Sequence, residues 1–152
     1  MSDDAKPKRK KGKLPGARTM EHMRKEGLVV AMVERRNPHA MIRQDLFGFA
    51  DLIAMRPGAG IIAVQATSMG NRTSRITKII AEPRAKLWLA SGGRIQVWGW
   101  RKLTRGMVRE KWLPEITEIT LKDFAPDGSP AGVGEVRPPA EPGSLFDDPE
   151  LK

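Results

Sequence analysis

Residues 47–67 read FGFADLIAMRPGAGIIAVQAT, and two apolar segments, 49–55 and 60–67, flank a turn that contains Pro57. Apolar runs of this length, bounded by Pro and Gly, are typical of buried β-strands. The second run is apolar at nearly every position, as expected of a strand that is covered on both faces. We therefore predict two neighbouring strands, with the second in the centre of a sheet.

The segments on either side of this stretch predict an α/β domain. Upstream, Thr19 is expected to cap a helix over residues 20–26 that Gly27 ends, and residues 28–34 form a β-branched strand. Downstream we predict a helix after Asn71, a helix or turn from Pro83, and strands at 95–100 and 112–121. The predicted order of elements is α-β-β-β-α-β-β, which is typical of an α/β fold with a mixed sheet.

Composition divides the chain into a core and two tails. Residues 1–17 hold six Lys/Arg and two Asp, whereas residues 125–152 are Pro- and Gly-rich and hold two Lys/Arg and six Asp/Glu. We predict a disordered basic arm and an acidic tail around one domain of residues 18–124. That domain has 19 Lys/Arg against 10 Asp/Glu. The excess favours a polyanionic partner, DNA above all, over a merely basic soluble protein.

The chain contains no cysteine, which excludes disulfides and thiolate metal sites. No apolar run approaches the roughly 18 residues that a membrane span needs. The charged first residues are unlike a secretory signal. These features predict a cytoplasmic protein with no membrane partner.

Polar residues beside the predicted strands could form a metal site. Asp51 and Gln65 are on adjacent strands, where side chains lie a few ångströms apart, and Glu21 is on the first helix. With the carbonyl of Ala66, their oxygen atoms suit a hard cation such as Mg²⁺, which can activate water for phosphodiester hydrolysis. Structural roles are the alternatives: a strand-end contact for Asp51, a buried hydrogen bond for Gln65, and a favourable helix-dipole position for Glu21. Asp45 either forms a turn or adds a ligand.

The order of elements and two short motifs resemble the PD-(D/E)XK nuclease superfamily. Residues 47–53 resemble its Gly-x-x-Asp motif at the start of the second core strand, and residues 64–67 occupy the place of its (D/E)-x-K motif. Glu21 resembles the helix glutamate of archaeal Holliday-junction resolvases and VRR-type nucleases. The resemblance extends over residues 18–102.

The resemblance implies an α-β-β-β-α-β core with a mixed central sheet. It also implies Mg²⁺ or Mn²⁺ bound by Asp51, Gln65 and Glu21. The implied function is metal-dependent hydrolysis of phosphodiester bonds in double-stranded or branched DNA, by an endonuclease or junction-type nuclease. Many members of the superfamily act as homodimers, so a homodimer is a further expectation.

Two departures from the family motif bear on catalysis. The motif's acidic residue is Gln65, which some members tolerate, and its lysine is Thr67, which cannot supply a positive charge. In some members the lysine is found on the following helix, where Lys78 and Arg75 share a face here. Lys78 is the first candidate for this catalytic role and Arg75 the second. Two alternatives are a catalytically silent DNA-binding protein and an adaptor in a replication or packaging assembly.

Further contacts are predicted outside this site. The candidate phosphate-binding residues are Lys8, Arg9, Lys10 and Lys11 in the arm and Asn71, Arg72 and Arg75 near a helix N-terminus, although either group can simply be solvated. In the acidic tail, Leu145 and Phe146 resemble the end of the short motif that docks bacterial replication proteins on the sliding clamp. Pro142 stands where that motif has Gln. The alternative is that both residues pack on the protein's own surface.

Overall fold

The computed structural model describes residues 11–104, 106 and 111–124. The predicted arm contacts at Lys8, Arg9 and Lys10 and the predicted partner contacts at Leu145 and Phe146 lie outside the described residues. Within the described ranges, no helix combines the length and the apolar character needed to cross a membrane.

The described chain forms three α-helices and seven strands, and five of the strands make up a central sheet. In chain order these are α1 (Pro15–Lys25), β1 (Val29–Met32), β2 (Arg35–Asn37), β3 (Ile42–Gln44), β4 (Leu52–Arg56), β5 (Gly60–Ser68), α2 (Arg72–Ile80), α3 (Pro83–Ala90), β6 (Arg94–Leu103) and β7 (Lys111–Ile119). The sheet has the order β1-β4-β5-β6-β7; β5 and β6 run parallel, and the other neighbours are antiparallel. The predicted α/β class with a mixed sheet is confirmed, and β5 is its central strand.

Hydrophobic cores lie on both faces of the sheet. On one face α1 places Met23 against Val64 and Trp98. On the other face α2 and α3 cover Ala63 and Val97. Successive side chains of a strand point to opposite faces of the sheet, so β5 needs apolar residues at both its odd and its even positions. This explains its nearly continuous apolar run.

The first helix starts earlier than the sequence predicted. Pro15 occupies its first turn, where a fixed φ and a missing N–H are favourable. Thr19 is therefore not a cap but a buried residue inside the helix. Its Oγ1 donates to the Pro15 carbonyl (2.9 Å) and accepts from Trp100 Nε1 (2.8 Å). The predicted end is correct, because Gly27 follows the helix with a φ of 85°.

A hairpin occupies the segment that the sequence analysis treated as a loop. β2 and β3 pair with each other in a sheet of their own, apart from the central sheet. Each has three residues, all exposed, so neither shows the apolar alternation by which strands are recognised. The next strand is also shorter than predicted, because β4 begins at Leu52 after the buried Phe49 and Ala50.

Candidate active site

Asp51 lies immediately before β4 and is fixed to the strands on both sides. Its N–H donates to the Val64 carbonyl (2.9 Å), and its own carbonyl accepts from Val33 (2.9 Å). Its side-chain Oδ2 accepts from Gln65 Nε2 (2.5 Å) and from the N–H of Ala66 (3.0 Å). The structure thus brings Asp51 and Gln65 together, as their positions on adjacent antiparallel strands suggested.

The Asp51 carboxyl is in an environment that disfavours its charged form. Burial raises the pKa of Asp51 to about 7, and the hydrogen bond from Ala66 opposes that rise. The negative charges of Asp45 and Glu34, together with a side-chain hydrogen bond to Asp45, raise the pKa of Asp51 further. The carboxyl groups of Asp51, Asp45 and Glu34 repel one another when charged, so they do not all ionise easily unless a positive charge is bound near them.

Asp51 opens onto a pocket of about 370 Å³. Three acidic and three basic side chains contribute to its wall, with the start of α1 and part of β5 completing it. The lining residues are Leu14, Pro15, Gly16, Ala17, Met32, Glu34, Arg43, Asp45, Asp51, Leu52, Gln65, Ala66, Arg75 and Lys78. The pocket therefore offers three carboxyl side chains with cations around them, a distribution that suits a phosphate bound through a metal ion.

The basic side of the pocket comes from α2 and the hairpin. Arg75 and Lys78 are three residues apart on one face of α2, and both reach the pocket. Neither forms an ion pair or hydrogen bond through its side chain with another residue of the described chain. Arg43 of β3 lies 3.5 Å from Glu34 Oε1. Two cations thus face the pocket without an acidic partner in the described ranges.

Glu21 lies away from this pocket. It is on the exposed side of α1, where its carboxylate contacts Lys13 Nζ (2.6 Å) and Lys25 Nζ (3.7 Å). The hydrogen bond with Lys13 lowers the pKa of Glu21. The structure therefore does not bring Glu21 to Asp51 and Gln65, and its predicted metal contact has no geometric basis. Thr67, at the place of the motif lysine, is buried in β5 and does not line the pocket.

Arg72 forms contacts within the domain, and its predicted phosphate contact stays a prediction. Its Nη1 donates to Thr117 Oγ1 (2.6 Å) and lies 2.7 Å from Glu115 Oε1. Its side chain packs so closely over Gly99 that a Cβ there would lie 2.8 Å from Arg72 Cδ. Arg72 thereby ties α2 to β6 and β7. Asn71 is exposed beside it at the start of α2, without a side-chain capping bond.

Three charged residues of the pocket were either not predicted from the sequence or not assigned a single role. Arg43 was missed because the hairpin that carries it was not recognised, and Glu34 because it was treated only as the last residue of the predicted strand 28–34. The sequence did contain a signal for a basic segment here, because residues 35–44 hold three arginines and no acidic residue. Asp45 forms the turn that was one of its two predicted roles, because its carbonyl accepts from Gly48 N (3.2 Å). Its side chain also interacts with Asp51, and its role as a metal ligand stays a prediction.

In the described ranges, no three Asp, Glu or His side chains are grouped tightly enough to hold a metal ion by themselves. No protein-family model, curated protein or solved structure matches the chain.

Proposed function

We propose that the protein is a metal-dependent DNA nuclease whose active site is the pocket at Asp51. One observation carries the proposal. The Asp51 carboxylate is held by Gln65 and Ala66 in a pocket that also contains Asp45 and two α2 cations without acidic partners in the described chain. A buried acid with acidic neighbours costs stability, so an acid in this environment is typical of a functional site.

The arrangement of elements supports this proposal. A helix is followed by the antiparallel strands β1, β4 and β5, and two helices then lead to β6, which is parallel to β5. If the β2–β3 hairpin between β1 and β4 is taken as an insertion, this order is the one expected of the α-β-β-β-α-β core that the resemblance to PD-(D/E)XK nucleases implies. Asp51 stands immediately before the second of these strands and Gln65 is on the third, the positions at which the resemblance puts the two family motifs.

The oxygen donors at the pocket are of the chemical type that Mg²⁺ or Mn²⁺ binds, although no three carboxylates of the described residues form a tight group. Asp51 and Gln65 would hold the ion, and Asp45, in place of Glu21, supplies the nearest further carboxylate. Bound there, the ion would polarise a phosphodiester and lower the pKa of a water molecule. Oxygen ligands of this kind are those that hard cations prefer. The raised pKa of Asp51 means that this residue must first release its proton, which the positive charge of an ion favours.

The α2 cations have a separate role in the proposal. Lys78 and Arg75 would bind the phosphate oxygens of the DNA backbone and offset the negative charge that develops during hydrolysis. Lys78 would replace the motif lysine, because Thr67 is buried outside the pocket. Backbone contacts would extend along the basic surface of the domain, which accounts for its net positive charge.

The second candidate is a DNA-binding protein on the same fold without catalytic activity. Two observations favour it. No tight group of three metal-ligating side chains is found in the described residues, and Thr67 leaves the motif position without a charge. Both functions predict DNA binding, but only the first predicts cleavage.

Incubation with supercoiled plasmid and with branched DNA tests the proposal. We expect nicking or junction cleavage with Mg²⁺ or Mn²⁺ and none with EDTA, because the pocket's acids need the metal to engage a phosphodiester. Wild-type protein that binds DNA but cleaves no form with either metal would exclude the nuclease and leave the binding protein. Protein that does neither would exclude both.

A further inference from the structure

The hairpin of β2 and β3 extends into solvent beside the pocket. Every residue of the segment 35–44 is exposed, and in the described chain neither strand packs extensively on a helix or on the central sheet. The turn has internal support: Asn37 Oδ1 accepts from the N–H groups of His39 (3.0 Å) and Ala40 (3.4 Å). This segment is therefore an ordered arm that the domain core does not need for its own packing.

The charges of the hairpin favour a polyanion. Arg36 and Arg43 stand directly opposite each other across the two strands, and like charges in that position cost stability. The segment 35–44 contains no acidic residue. Arg43 also lines the pocket at Asp51, so the basic side of the hairpin continues into the proposed active site.

The tip of the hairpin is apolar. Met41 and Ile42 are 76% and 62% exposed, although each is a large hydrophobic residue. Met41 has a φ of 53°, a left-handed conformation that is uncommon for a residue other than Gly, Asn or Asp. Adjacent apolar side chains at the end of a cationic arm match the wedges that DNA-binding proteins insert at unstacked base steps.

We propose that the hairpin 35–44 is a nucleic-acid wedge that directs the pocket to open or branched DNA. Arg36 and Arg43 bind backbone phosphates that lead into the pocket, and Met41 and Ile42 pack against bases exposed where a duplex opens. The preferred ligand is thus a fork or branch point rather than a continuous duplex. This inference rests on the proposed function, since it names the substrate class of the same site.

The apolar tip of the wedge, Met41 and Ile42, can be made polar without removing the hairpin. Met41→Asn suits the left-handed φ, and Ile42→Thr keeps a β-branched residue in the strand. The matched control is Ile61→Thr, the same change at an exposed position of β5 that does not line the pocket. The single Met41→Asn variant, altered only in the exposed turn, serves if the double variant does not fold.

Binding is measured in EDTA, so that no cleavage is needed. Fluorescence anisotropy compares forked and continuous duplexes of equal length, and 2-aminopurine at the fork reports base unstacking. We expect wild type and Ile61→Thr to prefer the fork by about tenfold and to increase the 2-aminopurine signal. The Met41→Asn/Ile42→Thr variant should bind both DNAs alike without that increase.

The outcomes separate the wedge from the nuclease. A wild-type protein that binds both DNAs equally, or a wedge variant that keeps the full fork preference, would overturn the wedge even if cleavage is observed. Fork preference that depends on Met41 and Ile42, in a protein that never cleaves, would sustain the wedge and exclude the nuclease. Absence of DNA binding would overturn both.

Discussion

Replacing Asp51 with asparagine should stabilise the protein above pH 7. An asparagine Oδ1 can accept the two hydrogen bonds that Asp51 Oδ2 receives from Gln65 and Ala66. Its Nδ2 can donate to Asp45, as a protonated Asp51 does. The variant therefore reproduces the protonated form of Asp51 at every pH and avoids the cost of burying its charge.

The pKa of Asp51 sets the magnitude of this effect. It is about 7 in the folded protein, against an ordinary value of 3.8. The folded state thus holds the proton more tightly, and the free energy of unfolding of the wild type falls as pH rises from 4 to 7. About three pH units at about 1.4 kcal/mol each correspond to a loss on the order of 4 kcal/mol above pH 7. Below pH 4, the acid is protonated in both states and this loss disappears.

Urea unfolding between pH 4 and pH 8 measures the difference. Asp51→Asn should match the wild type at pH 4 and exceed its free energy of unfolding by a few kcal/mol at pH 8. Asp123→Asn is the control, because Asp123 accepts from Thr120 N (2.7 Å) away from the pocket and asparagine can do the same. A difference between Asp51→Asn and wild type that does not change with pH would refute the account of the Asp51 environment.

Three further perturbations test other parts of the account. Lys78→Ala should lower the cleavage rate about a hundredfold relative to wild type. The control is Lys86→Ala, an exposed position of α3, which should leave the rate unchanged. Equal rates for Lys78→Ala and wild type would reject the role of Lys78. Deleting residues 1–10 should make the plot of log DNA affinity against log salt concentration less steep, by about 0.9 in slope for each lost phosphate contact. An unchanged slope would show that the arm makes no phosphate contact. Thr19→Val should lower the free energy of unfolding by about 1–3 kcal/mol in urea, because the buried Trp100 N–H loses its acceptor. An unchanged free energy of unfolding would show that the hydrogen bond between Trp100 and Thr19 does not stabilise the protein.

The central sheet could be predicted from the sequence, because its strands contain apolar runs that indicate buried strands. β4 and β5 flank a Pro-Gly turn, so their antiparallel pairing follows from chain connectivity. The hairpin of β2 and β3 could not be recognised in the same way, because its short exposed strands carry no burial pattern. The start of α1 was mistaken, because Thr19 is a good capping residue and only tertiary contact with Trp100 shows its buried role.

The candidate site was predictable only where strand pairing is local. Asp51 and Gln65 are 14 residues apart across one turn, so their meeting follows from the register of β4 and β5. The position of Glu21 did not follow, because the rotation of α1 is set by the buried Thr19 and Met23. Glu21 lies two residues from each, which turns it to the opposite side of the helix.

The cleavage rate of Asp51→Asn on branched DNA, under single-turnover conditions with Mg²⁺, shows whether the pocket at Asp51 is the active site. We expect a loss of at least about a hundredfold relative to wild type, with DNA affinity in EDTA retained. Asp123→Asn, prepared in the same way, should cleave like wild type. Equal rates for Asp51→Asn and wild type would contradict the claim that the pocket at Asp51 is the active site.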